Sequence, residues 1–345
     1  MKRNVFVFRE KELSLHHKNQ SLMKPMIKYR GGKSKEIPHI MWHIPRFSGR
    51  YVEPFFGGGA LYFYLEPREA IVNDINKQLI NFYKGVRNYF PRLRKELDEI
   101  EALYEINRRD YEALKARTPD ERVEDKNEAL YYLVRDMFNN KVSKEYSDAL
   151  LYYFINKTAY SGMIRYNADG DFNVPYGRYK HLSTQQVSFS HCELLKRTEI
   201  LNVDYSKIFN MCNDNDFVFL DPPYNCVFSD YGNVEYKDGF NEDSHRRLAE
   251  DFRNLPCKAL MVIGKTPLTE ELYGQFIVDE YEKSYAVNIR NRFKSEAKHI
   301  VVANYKKDWD MVQVFNPEIG NEYAIPETSQ VMLFEPKKKY HGKNR

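Results

Sequence analysis

The chain has 345 residues, a formal net charge of +4, 42% hydrophobic and 15% aromatic residues, and four cysteines. That length buries a large core, in one α/β domain with a substantial insertion or in two domains, and the mild basicity permits nucleic-acid binding without establishing it. Widely spaced cysteines without a Cys-x-x-Cys pair argue against a disulfide framework or a metal site, and the absence of a signal peptide or an apolar stretch of ~20 residues points to a cytoplasmic protein with no membrane partner.

Met1 to about Gln20 is polar and reads as part of an N-terminal extension, 1–23. Ile27-Lys28-Tyr29-Arg30-Gly31-Gly32-Lys33-Ser34-Lys35 then packs four cations, an aromatic and a Gly pair into nine residues. It is not a P-loop, because the position five before Gly32 is Ile27 rather than glycine. What remains is a tight turn with Lys33 beside it, able to meet a carboxylate; an ordinary basic loop is the alternative.

The strand-like Tyr51-Val52 runs through Glu53-Pro54-Phe55-Phe56 into Gly57-Gly58-Gly59-Ala60, ahead of the apolar Leu61 to Leu65. Glycines let a ligand approach the backbone, and the first strand-to-helix turn of a doubly wound sheet is where nucleosides and phosphates are held; a plain flexible turn explains the glycines about as well. Ala70-Ile71-Val72-Asn73-Asp74 reads as a second strand ending in an acid, roughly the ~20 residues beyond the glycines at which a carboxylate meets a ribose. Asp74 is equally compatible with N-capping a helix that begins near Ile75.

From roughly Arg87 to Gln186 the strand–helix rhythm is interrupted. Tyr89 to Leu151 is charged and helical, with the stripes Leu93, Leu97, Ile100 and Tyr131, Val134, Phe138 facing a core. The second half is rich in Tyr, Asn and Gly, and Ala168-Asp169-Gly170-Asp171 marks a hairpin turn. Strand-like runs resume at Ile200 to Val203, Phe217 to Leu220, Ala259 to Ile263 and His299 to Ala303, with helical patterns between most of them. That alternation predicts a mostly parallel sheet with helices on both faces.

Phe217 to Leu220 leads into Asp221-Pro222-Pro223-Tyr224. Two prolines remove two N–H donors and cannot continue a central strand, so the chain leaves the sheet with carbonyls free to accept. The exocyclic amine of an aromatic base is a poor nucleophile because its lone pair is delocalised into the ring. Asp221 and the Pro222 carbonyl could accept its two hydrogens and localise the lone pair for in-line attack, while Tyr224 offers a stacking face. A duplex base must be flipped out to arrive there. The alternative is a turn that merely ends a strand. Cys226, two residues further on, is read as a free thiol without a catalytic role.

Basic clusters at Lys24 to Lys35, at Arg165 with Arg178 and Lys180, at Arg290 with Arg292 and Lys294, and at Lys337 to Lys339 suit phosphate contacts and base stacking, although for any one of them a solvated face is the simpler reading.

Taken together, these segments resemble the Dam-like (D12) class of N6-adenine DNA methyltransferases. The shared elements are Lys-x-x-Gly-Gly-Lys at Lys28 to Lys33, Glu-Pro-Phe-x-Gly-x-Gly at Glu53 to Gly59, and Asp-Pro-Pro-Tyr at Asp221 to Tyr224. Asn156 to Asn167, followed by Gly170 to Gly177, is similar to the family's target-recognition hairpin, with Ser161-Gly162 where the family usually has Asn-Gly. Asp204-Tyr205, Tyr236 to His245 and Arg290 to Asn304 are further echoes, so the resemblance spans about residues 24 to 305.

The resemblance implies an α/β, Rossmann-like S-adenosylmethionine-dependent methyltransferase fold. Residues 24–86 and 187–310 would form the catalytic domain, 87–186 an inserted helical and hairpin target-recognition domain, and 311–345 a C-terminal tail. It implies S-adenosyl-L-methionine as cofactor, double-stranded DNA as substrate, and a cognate restriction endonuclease acting on the same site as a partner. Family members with such hairpins often prefer a guanine before the target adenine.

Residue by residue, Asp221, Pro222, Pro223 and Tyr224 would form the catalytic pocket, Asp221 bordering the cofactor too. Asp74 would bind the cofactor's ribose, and Tyr29 and Lys33 its methionine end. Glu53, Pro54 and Phe55 with the backbone of Gly57 and Gly59 would line its path, and Asp204 with Tyr205 would hold its adenine, a simple helix cap being the alternative for Asp204. In the hairpin, Arg165 would read a base, since bidentate arginine–guanine pairing is worth ~1–3 kcal/mol of discrimination, or would contact phosphate. Tyr160 would wedge or stack where the flipped adenine left, with Ser161, Met163, Asn167, Pro175 and Tyr179 beside it, core packing explaining Met163 nearly as well. Arg178 and Lys180 would anchor the backbone. Two further readings keep the residues but change the function: the same fold acting on RNA or a protein glutamine, whose protein-directed members usually carry Asn at the position of Asp221, and a catalytically silent DNA-binding module.

Overall fold

Seven strands form one sheet: β1 (Tyr51–Glu53), β2 (Ala70–Asn73), β3 (Thr198–Leu201), β4 (Phe217–Leu220), β5 (Lys258–Gly264), β6 (Ile277–Lys283) and β7 (Ala297–Ala303), in the order β3-β2-β1-β4-β5-β7-β6. The first five are parallel and β7 runs antiparallel to both β5 and β6. In the computed structural model the described residues are 23–29, 31–224, 240–283 and 297–306, with a short strand pair at Val314–Phe315 and Glu322–Tyr323. The extension before residue 23, Arg30, Cys226, Tyr236, Arg290, Arg292, Lys294, the Lys337 to Lys339 cluster and the tail beyond 306, apart from that pair, lie outside them.

Every residue of β1, β2 and β4 is buried, as a parallel sheet covered on both faces requires. Alternate side chains enter two cores. Val72, Phe217, Phe219, Leu260 and Val262 pack on one face, and Val52, Ile71, Val218, Leu220 and Met261 on the other. The six strands expected from apolar runs are present, and with the helices between them they make the Rossmann-like sheet. The run at 200–203 is shifted: the strand is Thr198–Leu201, and Val203 is drawn into a loop bond with Asn73. Strand β6 was not expected, because Asp279, Glu280, Glu282 and Lys283 interrupt its apolar pattern; it is an edge strand, where charge protects against further pairing.

The α-helices among the described residues are α1 (Ile37–Ile40), α2 (Ala60–Leu65), α3 (Lys77–Arg117), α4 (Lys126–Phe138), α5 (Asp148–Thr158), α6 (Phe189–Lys196), α7 (Tyr205–Phe209), α8 (Glu242–Arg253) and α9 (Pro267–Tyr273). Helix α3 is capped by Asn76, whose Oδ1 accepts the Leu79 N–H at 3.0 Å, so the expected cap at Asp74 is corrected to Asn76. Tyr89 leaves the helical region, at φ −131° and ψ 28°. Pro91 supplies the cause, since its ring opposes the carbonyl four residues back, and that carbonyl, on Arg87, instead meets the Cys192 thiol at 3.6 Å.

The insertion has no core of its own. Leu93, Leu97, Ile100, Tyr131 and Val134 are buried as their stripes require, Phe138 packs at the margin, and all join the core that holds Val72 and Phe219. Helix α3 continues across the expected boundary at 86/87 and kinks just beyond it, at Tyr89. The expected hairpin is held by two isolated antiparallel bridges, Ala159–Tyr176 and Tyr166–Phe172, rather than a continuous ladder. Its turn is built by Asn167, whose Oδ1 accepts the N–H groups of Asp169 and Asp171 at 3.1 and 2.8 Å. Among the described residues no helix is long and apolar enough to cross a membrane.

Candidate active site

The carboxyl ends of β1, β2 and β4 open onto one cleft, at the point where the sheet order reverses direction on either side of β1. One buried side chain organises its floor. Asn73 Nδ2 donates to the carbonyls of Pro54 and Val203, both at 3.0 Å, and its Oδ1 accepts the Val203 N–H at 2.9 Å, so the ends of β1, β2 and β3 are tied together. Phe56 N–H adds a bond to the Asn73 carbonyl at 2.8 Å.

The glycine loop folds back over this floor. Asp74 accepts the Gly57 N–H at 2.8 Å and the Asn76 N–H at 2.9 Å, one on each carboxylate oxygen. Gly57 has φ +48°, and a Cβ there would stand 2.7 Å from the Tyr29 ring; at Gly58 it would stand 2.9 Å from the Tyr29 Cβ. The glycines therefore admit Tyr29 as well as opening the cleft. Burial, and after it the charge of Asp74, pushes the Tyr29 phenol well above its ordinary value, so it stays protonated.

Lys33 faces this loop across the cleft and is only 3% exposed. Its Nζ lies 2.5 Å from Asp221 Oδ1 and donates to the Gly31 carbonyl at 3.1 Å; it also sits 4.9 Å from the centre of the Tyr224 ring. Glu53 is buried beside them, its Oε2 accepting the Tyr51 hydroxyl at 2.8 Å. Burial, followed by the charges of Asp221 and Asp74, pushes the Glu53 carboxyl well above the usual carboxylate range, against the Tyr51 bond and Lys33. With Glu53 pushed toward its neutral form, the charged groups lining the cleft are Lys33, Asp74 and Asp221, two carboxylates to one ammonium. That set suits a ligand carrying more positive than negative charge.

Of the expected residues, Tyr29, Lys33, Glu53, Phe55, Gly57, Gly59, Asp74, Asp221, Pro222 and Pro223 line this cleft together. Pro54 sits beneath it through its carbonyl, and Tyr224 lies behind Lys33. Asp204 and Tyr205 are not in the lining. Asp204 caps α7 through the Ser206 N–H at 3.0 Å and takes two bonds from Arg247, both at 2.9 Å. Tyr205 is buried between Phe55, at 5.3 Å, and the Arg247 guanidinium, at 4.7 Å, so it reaches the cleft only by backing Phe55.

The expected DNA contacts cluster on the hairpin. Tyr160 is 55% exposed at the start of the turn Tyr160–Gly162, Ser161 takes the left-handed conformation at φ +54°, and Met163 packs partly into the core. Arg165 is exposed, but its Nε is held at 2.9 Å by Asn173 Oδ1. Asn167 is spent on the turn, and Pro175 accepts the Tyr160 N–H at 2.9 Å. Tyr179 lies under Lys28, Nζ to ring centre 4.0 Å, while Arg178 pairs with Glu128 at 3.4 Å and Lys180 is exposed.

Residues that sequence reasoning missed include Phe56, Gly58 and Ile75 in the lining, Asn73 below it, and Asn173 behind Arg165. A buried Asn immediately before a strand-end acid is a usable signal for Asn73. Asn173 has only its place opposite Arg165 across the turn, where its N–H donates to the Arg165 carbonyl at 3.1 Å.

Comparison with known proteins adds a family. The model described as D12 class N6 adenine-specific DNA methyltransferase matches residues 29–289. The Type II methyltransferase M.CviBI of Paramecium bursaria Chlorella virus NC1A is 34% identical over 291 residues, 82% of this chain and 100% of the relative. The Type II methyltransferase M1.LlaDCHI of Lactococcus lactis subsp. cremoris is 30% identical over 301 residues, 85% and 99% of the two chains. The Type II methyltransferase M.MjaIII of Methanocaldococcus jannaschii is 33% identical over 267 residues, 73% and 87%.

Proposed function

As a member of the D12 class of N6-adenine-specific DNA methyltransferases, to which this chain belongs, the protein is a site-specific DNA adenine methyltransferase, and we propose that it draws the methyl group from S-adenosylmethionine and delivers it to an adenine flipped from double-stranded DNA. One observation carries this reading: the glycine loop with Asp74 and the Asp221-Pro222-Pro223 turn line the same cleft, with Lys33 in it 2.5 Å from Asp221.

The residues present fit the cofactor. Two carboxylates and one ammonium, with Glu53 pushed toward its neutral form, suit a ligand with an ammonium, a sulfonium and a single carboxylate. Lys33 would take the carboxylate, Asp74 the ribose hydroxyls, and Phe55, backed by Tyr205, would wall the adenine. When bound, the cofactor supplies an electrophilic methyl on sulfur. Asp221 and the Pro222 carbonyl accept the two hydrogens of the target amine, which localises its lone pair, and Tyr224 stacks the base. Alignment and two fixed acceptors do the catalytic work without a covalent enzyme intermediate.

On the DNA side, Arg165, already oriented by Asn173, reads a base edge, with Tyr160 at the vacated position and Lys180 on the backbone. The names of the Type II relatives suggest a restriction endonuclease acting on the same site as partner. Asp221→Ala, assayed for tritiated methyl transfer to DNA, should lose on the order of 10²-fold or more in rate, the scale of removing one fixed polar group at a reacting centre. A rate near wild type overturns the mechanism.

A further inference from the structure

The short turn that brings Lys33 to Asp221 carries a second buried charge. Glu36 is 4% exposed, and its Oε2 accepts the Tyr281 hydroxyl at 2.5 Å and lies 2.7 Å from Nδ1 of His299. A carboxylate only accepts, so Nδ1 of His299 carries the proton and the ring cannot turn without breaking the bond. Tyr281 and His299 are cross-strand partners on β6 and β7, and on the other side His299 is registered with Gly264 of β5. His39 covers the group from outside, stacked on Tyr281 at 4.6 Å.

The inner end of this group meets the Asp-Pro-Pro-Tyr segment. The fully buried His299 ring abuts Tyr224 edge to face, with centroids 5.1 Å apart and planes at 89°. Gly264 adjoins the Tyr224 ring as well, since a Cβ there would stand 3.6 Å from Tyr224 Cδ2. An apolar cluster would fill this space at lower desolvation cost than a carboxylate, an imidazole and a phenol. Directional bonds give what apolar packing lacks, one ring orientation.

We propose that Glu36 and His299 are positioning residues for methyl transfer: together they fix the plane of Tyr224 on which the flipped adenine stacks. Lys33 meanwhile holds Asp221. One turn of chain, Lys33 to Glu36, thereby sets both ends of the segment Asp221 to Tyr224. The inference rests on the reading of Tyr224 as the base platform.

The test compares Glu36→Gln, His299→Gln, Tyr281→Phe and Tyr224→Leu by single-turnover methyl transfer, by S-adenosylmethionine binding in calorimetry, and by fluorescence of DNA with 2-aminopurine at the target position. Glu36→Gln and His299→Gln should each slow transfer at least tenfold and change the 2-aminopurine signal, with cofactor affinity within twofold of wild type. In the Tyr224→Leu background, His299→Gln should slow transfer no further. Rates within twofold of wild type for both Glu36→Gln and His299→Gln, or a His299→Gln loss undiminished in the Tyr224→Leu background, overturn the inference. Should His299→Gln not fold, Glu36→Gln and Tyr281→Phe carry the same comparison, because both leave the His299 ring packed. A fully active Tyr224→Leu overturns the platform reading itself, whereas a slow Tyr224→Leu beside unaffected Glu36→Gln and His299→Gln overturns only the positioning role.

Discussion

His245 lies in the first turns of α8 with no exposed surface, its ring edge-on to Phe240 at 4.7 Å. Neither ring nitrogen has a hydrogen-bond partner among the described residues. Burial alone pushes its pKa from 6.5 down to about 4. The sign follows from linkage: the folded protein keeps the ring neutral while the unfolded chain protonates it, so stability present above pH 6.5 is lost as the pH falls toward about 4. Across that interval, at ~1.4 kcal/mol per pH unit, the loss amounts to about 3 kcal/mol. His245→Leu removes the titration. It also removes two orphan polar atoms, each costing ~1–3 kcal/mol, which offsets the lost ring contact, so at pH 7.5 the variant should be no less stable than wild type. Urea denaturation of both proteins from pH 7.5 to 4.5 measures the difference directly. It should widen in favour of the variant only below pH 6.5; a difference that stays constant over the range refutes the reasoning.

Glu53, whose carboxyl burial holds well above the usual range, contributes stability that is full below its unfolded value of 4.5 and is lost as the pH rises through the folded one. Glu53→Gln should therefore gain more in melting temperature over wild type at pH 8 than at pH 5, as scanning calorimetry would show. Gly57→Ala places a methyl 2.7 Å from the Tyr29 ring at φ +48°, and should cost roughly 1–2 kcal/mol of stability and weaken S-adenosylmethionine at least tenfold by titration calorimetry. Asn173→Ala removes the side-chain bond to Arg165 Nε and leaves only the longer one from the guanidinium to the Asn173 carbonyl at 3.4 Å, and sequencing of methylated adenines should show site preference relaxed toward that of Arg165→Ala, with cofactor affinity unchanged.

The parallel strands were legible because β1, β2, β4 and β5 are buried on both faces and read as unbroken apolar runs between Gly, Pro and Asp. Strand β6, half-buried on one face and exposed on the other at a sheet edge, carries charge where the others carry Val or Ile, and no apolar run announces it. The segments that line the cleft were legible one by one, since a strand-end acid, a glycine loop and a Pro-Pro turn each stand out locally. Their assembly was not. Lys33 and Asp221 are 188 residues apart, and nothing local to either names the other. Asp204 shows the same limit from the other side: its place after a strand was readable, but Arg247, 43 residues on, occupies its carboxylate with two bonds. At Ser161 the backbone explains the departure from Asn-Gly, because φ +54° is a left-handed position that asparagine tolerates better than serine, so the turn is kept at some cost in strain.

Among the described residues, the side chains of Asn156 and Lys28 bond the base of the hairpin to the segment that leads into the cleft. Asn156, buried at the end of α5, accepts the Lys28 N–H at 2.8 Å and donates to the Lys28 carbonyl at 2.7 Å, as a neighbouring strand would. Lys28 then reaches across the hairpin, with Nζ 4.0 Å from the Tyr179 ring and 3.3 Å from the Lys157 carbonyl. The next residue is Tyr29, wedged against Gly57 and Gly58, and the same segment continues to Lys33 on Asp221. A displacement of the hairpin that keeps these bonds must move Lys28, and with it the ring that shapes the glycine loop and the cation that holds Asp221. The hairpin and the cleft, which come from separate stretches of sequence, share one core and the Lys28 to Lys33 segment, so on the proposed reading DNA held at Arg165 and Tyr160 would be mechanically connected to the cleft that Asp221 lines.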